Sequence, residues 1–145
     1  MTITAQERAR RSAEAMWSTD GASQWLGMEV VSVGPGTATL KMTVQQHHAN
    51  GHGMCHGGIT FSLADSAFAF ACNSYNRIVV AQHNSITYLA PAMVGDTLTA
   101  TATEVALAGR SGIYDVRVTN QNDKTIAEFR GNSRIIKGQH FEEPK

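Results

Sequence analysis

Residues 57–75, GGITFSLADSAFAFACNSY, most constrain what this chain can become. Ile59, Phe61, Leu63, Ala64, Ala67, Phe68, Ala69, Phe70 and Ala71 cover most of the circumference of a helix running from Gly57 to about Tyr75. A helix apolar nearly all round must be enclosed by the rest of the molecule. One carboxylate, Asp65, interrupts it. Burying an ionised acid without partners costs several kcal/mol or more, on the order of the net stability of a domain. Asp65 therefore either faces water or is kept because something uses it.

The remaining sequence supplies the enclosure. Met28–Val33 and Thr37–Val44 flank Gly34-Pro35-Gly36, a strong turn signal. In the second run Ala38, Leu40, Met42 and Val44 share one face and Thr37, Thr39, Lys41 and Thr43 the other, the pattern of a half-buried antiparallel strand. From Val79 onward the chain again reads as strands. Thr97–Leu107 interleaves Thr with Leu98, Ala100 and Ala102, and Ile113–Thr119 and Thr125–Ile136 are joined through Asn120-Gln121-Asn122-Asp123. Thr125, Ala127, Gly131 and Ser133 share one face of the last strand, small enough to let another element come close. Two strands, an enclosed helix and about four strands predict an α+β fold, a curved antiparallel sheet wrapped around one long helix. Residues 1–26 read as an N-terminal helical segment, Ala5–Trp17 docking through Ala13, Met16 and Trp17 with its arginines exposed, then a short helix near Ser23–Leu26. Residues 138–145 read as a disordered tail, and 1–145 as one domain.

Composition narrows the function classes. Twelve basic residues balance twelve acidic ones, which leaves no electrostatic footprint for nucleic acid. No apolar run reaches the roughly 18 residues of a membrane span. The N-terminus lacks an apolar export core, and Glu7 and Glu14 argue against a mitochondrial presequence. Two cysteines, Cys55 and Cys72, without CxxC spacing suit a reducing compartment. These features predict a soluble cytoplasmic protein.

The chemistry concentrates in residues 47–73. On a helical wheel Ser62, Asp65, Ser66, Ala69 and Asn73 form one stripe. The plain reading is a solvated face, but such faces usually carry Lys, Glu or Arg, and these residues are short. A narrow crevice or a subunit contact fits them better. At the helix start, N–H groups lack internal partners and the dipole is positive. Gly57 and Gly58 would let a ligand oxygen approach those donors, the makeup of a carbonyl-polarising site. Asn50 can form a turn or orient a water or carbonyl. His48, His52 and His56 recur every four residues beside Cys55, which would align metal ligands on a helix. The glycines at 51, 53, 57 and 58 make a helix there improbable, so loop or capping roles are expected and no metal. Gly57 and Asp65 stand about 12 Å apart along a helix axis, too far to serve one carbonyl from one subunit. Two antiparallel copies across a two-fold axis would bring Gly57 of one near Asp65 of the other.

The runs NGHGMCHGGITFSLADSAFAFACNS, SITYLAPAMVGDTLTATA and GRSGIYDVRVTNQNDKTIAEFRG resemble the hotdog-fold acyl-CoA thioesterases of the phenylacetate-degradation PaaI type, over roughly Met16–Ile136. The HGG-to-Asp spacing carries most of that resemblance. It implies hydrolysis of acyl-CoA thioesters, with aromatic acyl groups such as phenylacetyl or hydroxyphenylacetyl, by dimers that pair into tetramers. Asp65 matches the catalytic carboxylate, as nucleophile or as base for water. Gly57 matches the N–H that polarises the thioester carbonyl, Asn50 the residue holding the attacking water or the thioester, and His56 a loop histidine near the leaving sulfur. A helper serine found in some relatives falls at Ala81, with Gln82 and Ser85 nearby. A thioester is already activated, so coenzyme A as part of the substrate is the only cofactor-like group expected. Gly58, Phe61 and Ser66 are candidates to contact substrate. Phe68 and Tyr75 could also line an acyl pocket, although ordinary core is the simpler role for all three aromatics. Arg110, Ser111 and Gly112 of the GRSG turn are candidates for the CoA phosphates, with Arg130 and Arg134 behind them. The alternatives are a hotdog enoyl-thioester hydratase or dehydratase, for which Asp65 lacks an evident acid–base partner, and a non-catalytic acyl-CoA-binding module.

Overall fold

The computed structural model describes residues 2–145. Helix α1 covers Ala5–Trp17 and α2 Gly21–Trp25. Strands β1 (Glu29–Gly34) and β2 (Thr37–Thr43) precede the long helix α3 (Gly57–Cys72). Strands β3 (Val79–Tyr88), β4 (Thr97–Ala108), β5 (Ser111–Thr119) and β6 (Thr125–Ile135) follow it. They form one six-stranded sheet in the order β1-β2-β4-β5-β6-β3, every neighbouring pair antiparallel. After α3 the chain crosses the whole sheet, so β1 and β3 are its two open edges.

The periodicities read from sequence have direct physical outcomes. Ala38, Leu40, Met42 and Val44 of the β2 run are buried, as are Leu98, Ala100 and Ala102 of β4 and Val116 and Val118 of β5. This face cradles α3, whose Leu63, Ala64, Ala67, Phe68, Phe70 and Ala71 are also buried. The small-residue face of β6 lets the helix settle: a Cβ on Gly131 would stand 2.7 Å from the Phe68 ring. Phe68 also packs against Tyr114 and Phe129, which makes it core.

Three features differ from expectation. The helix stops at Cys72 rather than near Tyr75, because the Asn73 amide donates to the Ala69 and Val79 carbonyls and its oxygen accepts the Val79 N–H. Those bonds turn the chain into β3. Residues 138–145 fold back onto the molecule instead of trailing away. Asn76 binds the Phe141 carbonyl, Glu143 and the N–H of His140, while Glu143 pairs with Arg8 and Phe141 lies under Arg11. Arg8 and Arg11 are consequently half-buried rather than exposed.

Candidate active site

A cleft of about 370 Å³ opens beside the start of α3, lined by Asn50, Met54, Cys55, Gly57, Thr60, Tyr88 and Leu89 among others. It brings together two of the residues singled out from sequence, Asn50 and Gly57. The Asn50 side-chain oxygen accepts the N–H groups of His52 and Met54 at 2.9 and 3.2 Å, so it shapes the loop. Its amide NH₂ has no partner among the described residues. Asn50 can therefore only donate into the cleft, to a carbonyl oxygen or to the oxygen of a water.

His56 caps α3. Its Nδ1 accepts the Gly58 N–H at 2.9 Å, and its carbonyl accepts Ile59 N–H at 2.9 Å. Gly58, a candidate for substrate contact, has thus spent its N–H on the cap. Gly57 N–H makes no hydrogen bond among the described residues. Of the first-turn donors at 57, 58 and 59 it is the free one, at the positive end of the helix dipole. With Nδ1 accepting, a neutral His56 carries its proton on Nε2, which projects from an exposed residue. The three histidines of the four-residue repeat have separate surroundings. His48 is buried, its Nδ1 accepting Gln45 N–H and its Nε2 without a hydrogen-bond partner among the described residues; burial lowers its pKa and favours the neutral ring. His52 is exposed.

Cys55 in the cleft is a free thiol, as is Cys72. Burial raises the pKa of Cys55, and burial together with the nearby Asp65 pushes Cys72 up to about 12. Both remain protonated and unreactive near neutral pH.

Asp65 is half-buried, neither on a solvated face nor sealed in the core. Desolvation raises its pKa, and a hydrogen bond from Asn84 partly offsets this. The Asn84 amide donates to Asp65 Oδ1 at 3.1 Å, while the Asn84 oxygen is buried without a partner among the described residues. Asn84 is the partner of the candidate carboxylate that sequence reasoning missed. Ala81, Gln82 and Ser85, the positions weighed for a helper serine, are all exposed. The rest of the polar stripe is structural in part: Ser66 Oγ bonds Ser23 Oγ of α2 at 2.8 Å, and Ser62 Oγ donates back to the Gly58 carbonyl. Asp65 itself is absent from the cleft lining, in keeping with the roughly 12 Å of helix between it and Gly57.

The other candidates fall elsewhere. Phe61 is half-buried and meets Phe129 edge-on at 5.5 Å. The Tyr75 hydroxyl donates to Glu104 at 2.7 Å. Arg110 and Ser111 are exposed at the β4–β5 turn, and Gly112 is buried against Ser133. By register Ser111 lies across Arg134 from Val80, eight residues or roughly 26 Å along β3 from Tyr88. One chain does not bring the GRSG turn to this cleft. Arg130 is engaged with Asp115 at 2.7 Å, and Arg134 is exposed.

Comparison with known proteins matches residues 52–127 to the family described as the thioesterase superfamily. The chain is 45% identical over 131 residues to the acyl-coenzyme A thioesterase PaaI of Escherichia coli, covering 90% of this chain and 94% of that one. The solved structure of the E. coli PaaI protein, from the phenylacetic acid degradation operon, superposes with a TM-score of 0.92 at 43% identity over 94% of this chain and 99% of that one. A Streptococcus mutans protein solved bound to acetyl CoA superposes with a TM-score of 0.75 at 26% identity, over 78% of this chain and 91% of its own.

Proposed function

The chain belongs to the thioesterase superfamily and has its hotdog fold, and from that premise we propose that it hydrolyses aromatic acyl-CoA thioesters to free acid and CoA. Phenylacetyl and hydroxyphenylacetyl groups are the preferred acyl chains in this reading, which the likeness to E. coli PaaI supports. The observation that carries the proposal is a separation. The cleft holds two unspent donors, Gly57 N–H and the Asn50 amide, while the half-buried acid stands two turns further along the same helix. Each chain thus has both halves of a hydrolytic site and cannot apply them to one carbonyl. An antiparallel second copy would set Asp65 of the partner subunit beside this cleft, and would also turn its own GRSG hairpin toward it.

The open edge strand supports that assembly. β3 exposes Val80, Tyr88 and the adjoining Leu89, the last at 59%. An uncovered apolar edge invites pairing with an identical strand, and a homodimer pairing further into a homotetramer would bury it. Among the described residues no helix is long and apolar enough to cross a membrane.

In the reaction, a water sits against the Asp65 carboxylate. Asp65 takes its proton as the oxygen attacks the thioester carbon. Gly57 N–H and the Asn50 amide stabilise the oxyanion of the tetrahedral intermediate. The C–S bond then breaks, the N–H of a neutral His56 Nε2 donates a hydrogen bond to the departing thiolate, and the proton held by Asp65 returns through solvent to balance that thiolate. The raised pKa of Asp65 suits a base acting on water, the route proposed over direct carboxylate attack. In a single turnover in oxygen-18 water the label should appear in the released acid and not in Asp65; label in the aspartate would mean nucleophilic attack instead. The broader claim is tested by thiol release across aromatic and straight-chain acyl-CoAs. The highest kcat/KM is expected for the phenylacetyl and hydroxyphenylacetyl esters, and binding without turnover on the whole panel would overturn the assignment.

A further inference from the structure

A contact in the wall of the cleft, with no part in the steps above, deepens the thioesterase reading, on which it rests. Tyr88, the last residue of β3, donates its hydroxyl to the Gly57 carbonyl at 2.7 Å. Its ring lies against the same residue: a Cβ on Gly57 would stand 3.1 Å from ring Cζ. The Gly57 carbonyl and the Gly58 N–H belong to one peptide group, and that N–H donates to His56 Nδ1 at 2.9 Å. Hydroxyl, peptide and imidazole therefore form one unbroken line of donors and acceptors. Hydrogen bonds in such a line polarise one another. Electron density drawn toward the carbonyl oxygen makes the shared N–H a better donor, and a better donor holds Nδ1 as an acceptor.

We propose that Tyr88 is a positioning residue that acts through the Gly57–Gly58 peptide to fix the tautomer and aim of His56. The consequence lies at the far side of the ring. With Nδ1 committed, the N–H stays on Nε2, where it donates a hydrogen bond to the departing thiolate without giving up its proton. The same hydroxyl and ring hold the turn from which Gly57 presents its free N–H, so oxyanion donor and sulfur partner share one anchor. Tyr88 touches neither reacting atom.

Tyr88→Phe keeps the ring on Gly57 and removes only the donor. For phenylacetyl-CoA, kcat is expected to fall about tenfold, the worth of one such bond, with KM held within about twofold. The loss should shrink on an S-aryl phenylacetyl thioester, whose more acidic thiol leaves without help. A merely structural defect would lower both substrates alike, so equal losses, or none, overturn the proposal. Nitrogen-15 NMR of His56 reads the tautomer without turnover. The wild type should show a protonated Nε2 and a bare Nδ1, and Tyr88→Phe a mixture; an unchanged pattern overturns the relay even if activity drops. Should the wild type hydrolyse no thioester, the functional reading fails, and the NMR comparison still decides the relay.

Discussion

The two ends of α3 are both crowded with polar side chains, yet they are used in opposite ways. At the C-terminal end nearly every group is consumed internally. Asn73 ties the helix to β3, Ser74 accepts the Gly36 N–H at 2.8 Å, and Asn76 holds the returning tail. At the N-terminal end the loop spends only half of each group. Asn50 gives its oxygen and keeps its amide, His56 gives Nδ1 and keeps Nε2, and the turn keeps Gly57 N–H. Satisfied polar groups specify a structure, whereas unsatisfied ones next to a cavity await a ligand. One end of the helix is closed upon itself, and the other keeps free donors beside the cleft.

The sharpest way to break this contrast is Asp65→Asn. Hydrolysis should fall about a thousandfold, while the folded chain gains about 1 kcal/mol by losing a desolvated charge. Folding raises the pKa of this acid, so its cost is fully present above the folded pKa and fades as pH falls through it. The stability gain should accordingly be seen by urea unfolding at pH 7 and vanish in acid. Next comes the division of labour between copies. Neither Asp65→Asn nor Asn50→Ala subunits should turn over alone. Dissociated and reassembled together they should recover about a quarter of wild-type activity, since half the dimers are mixed and each mixed dimer keeps one intact site. A site contained in one chain would recover nothing.

At the structural end, Asn73→Ala strands the Val79 N–H and takes a donor from the Val79 carbonyl, while the Ala69 carbonyl keeps the backbone N–H of residue 73. It should cost about 2–3 kcal/mol in chemical denaturation and leave kcat of the folded fraction unchanged. The smallest effect concerns Asn84→Ala. Removing the donor that favours the ionised acid should raise the Asp65 pKa further, so the acid limb of the kcat/KM profile moves to higher pH. A limb that stays in place would mean that Asn84 does not tune the carboxylate.

The enclosed helix, the strand alternations and the Asn120–Asp123 turn were legible because each is local. Asn120 Oδ1 accepts the N–H groups of Asn122 and Lys124, and Asp123 takes φ 59°, as an Asx-type turn requires. Asn50, Gly57 and Asp65 were legible as residue types at suggestive spacing. Asn84 was not, and a bulge explains why. The β3–β6 register shifts between Ala81 and His83, and one extra residue swaps the faces of every side chain beyond it. Val79 faces inward before the bulge, Asn84 and Ile86 after it. Strict alternation from Val79 would have turned Asn84 outward. The folded-back tail was hidden for a related reason: its partners Arg8, Arg11 and Asn76 lie far away in sequence, and composition alone suggests no order there.

Short-range physics is written in the chain itself: which stretches coil or extend, which faces are oily, and that a single acid interrupts the central helix. Only the folded sheet decided what stands beside that acid and beside the glycine turn. Asn84 reaches Asp65 across 19 residues and Tyr88 reaches Gly57 across 31, through a crossover and an irregular edge strand. Periodicity carries no information about contacts of that kind, because they depend on register between strands and not on the residues of either strand alone.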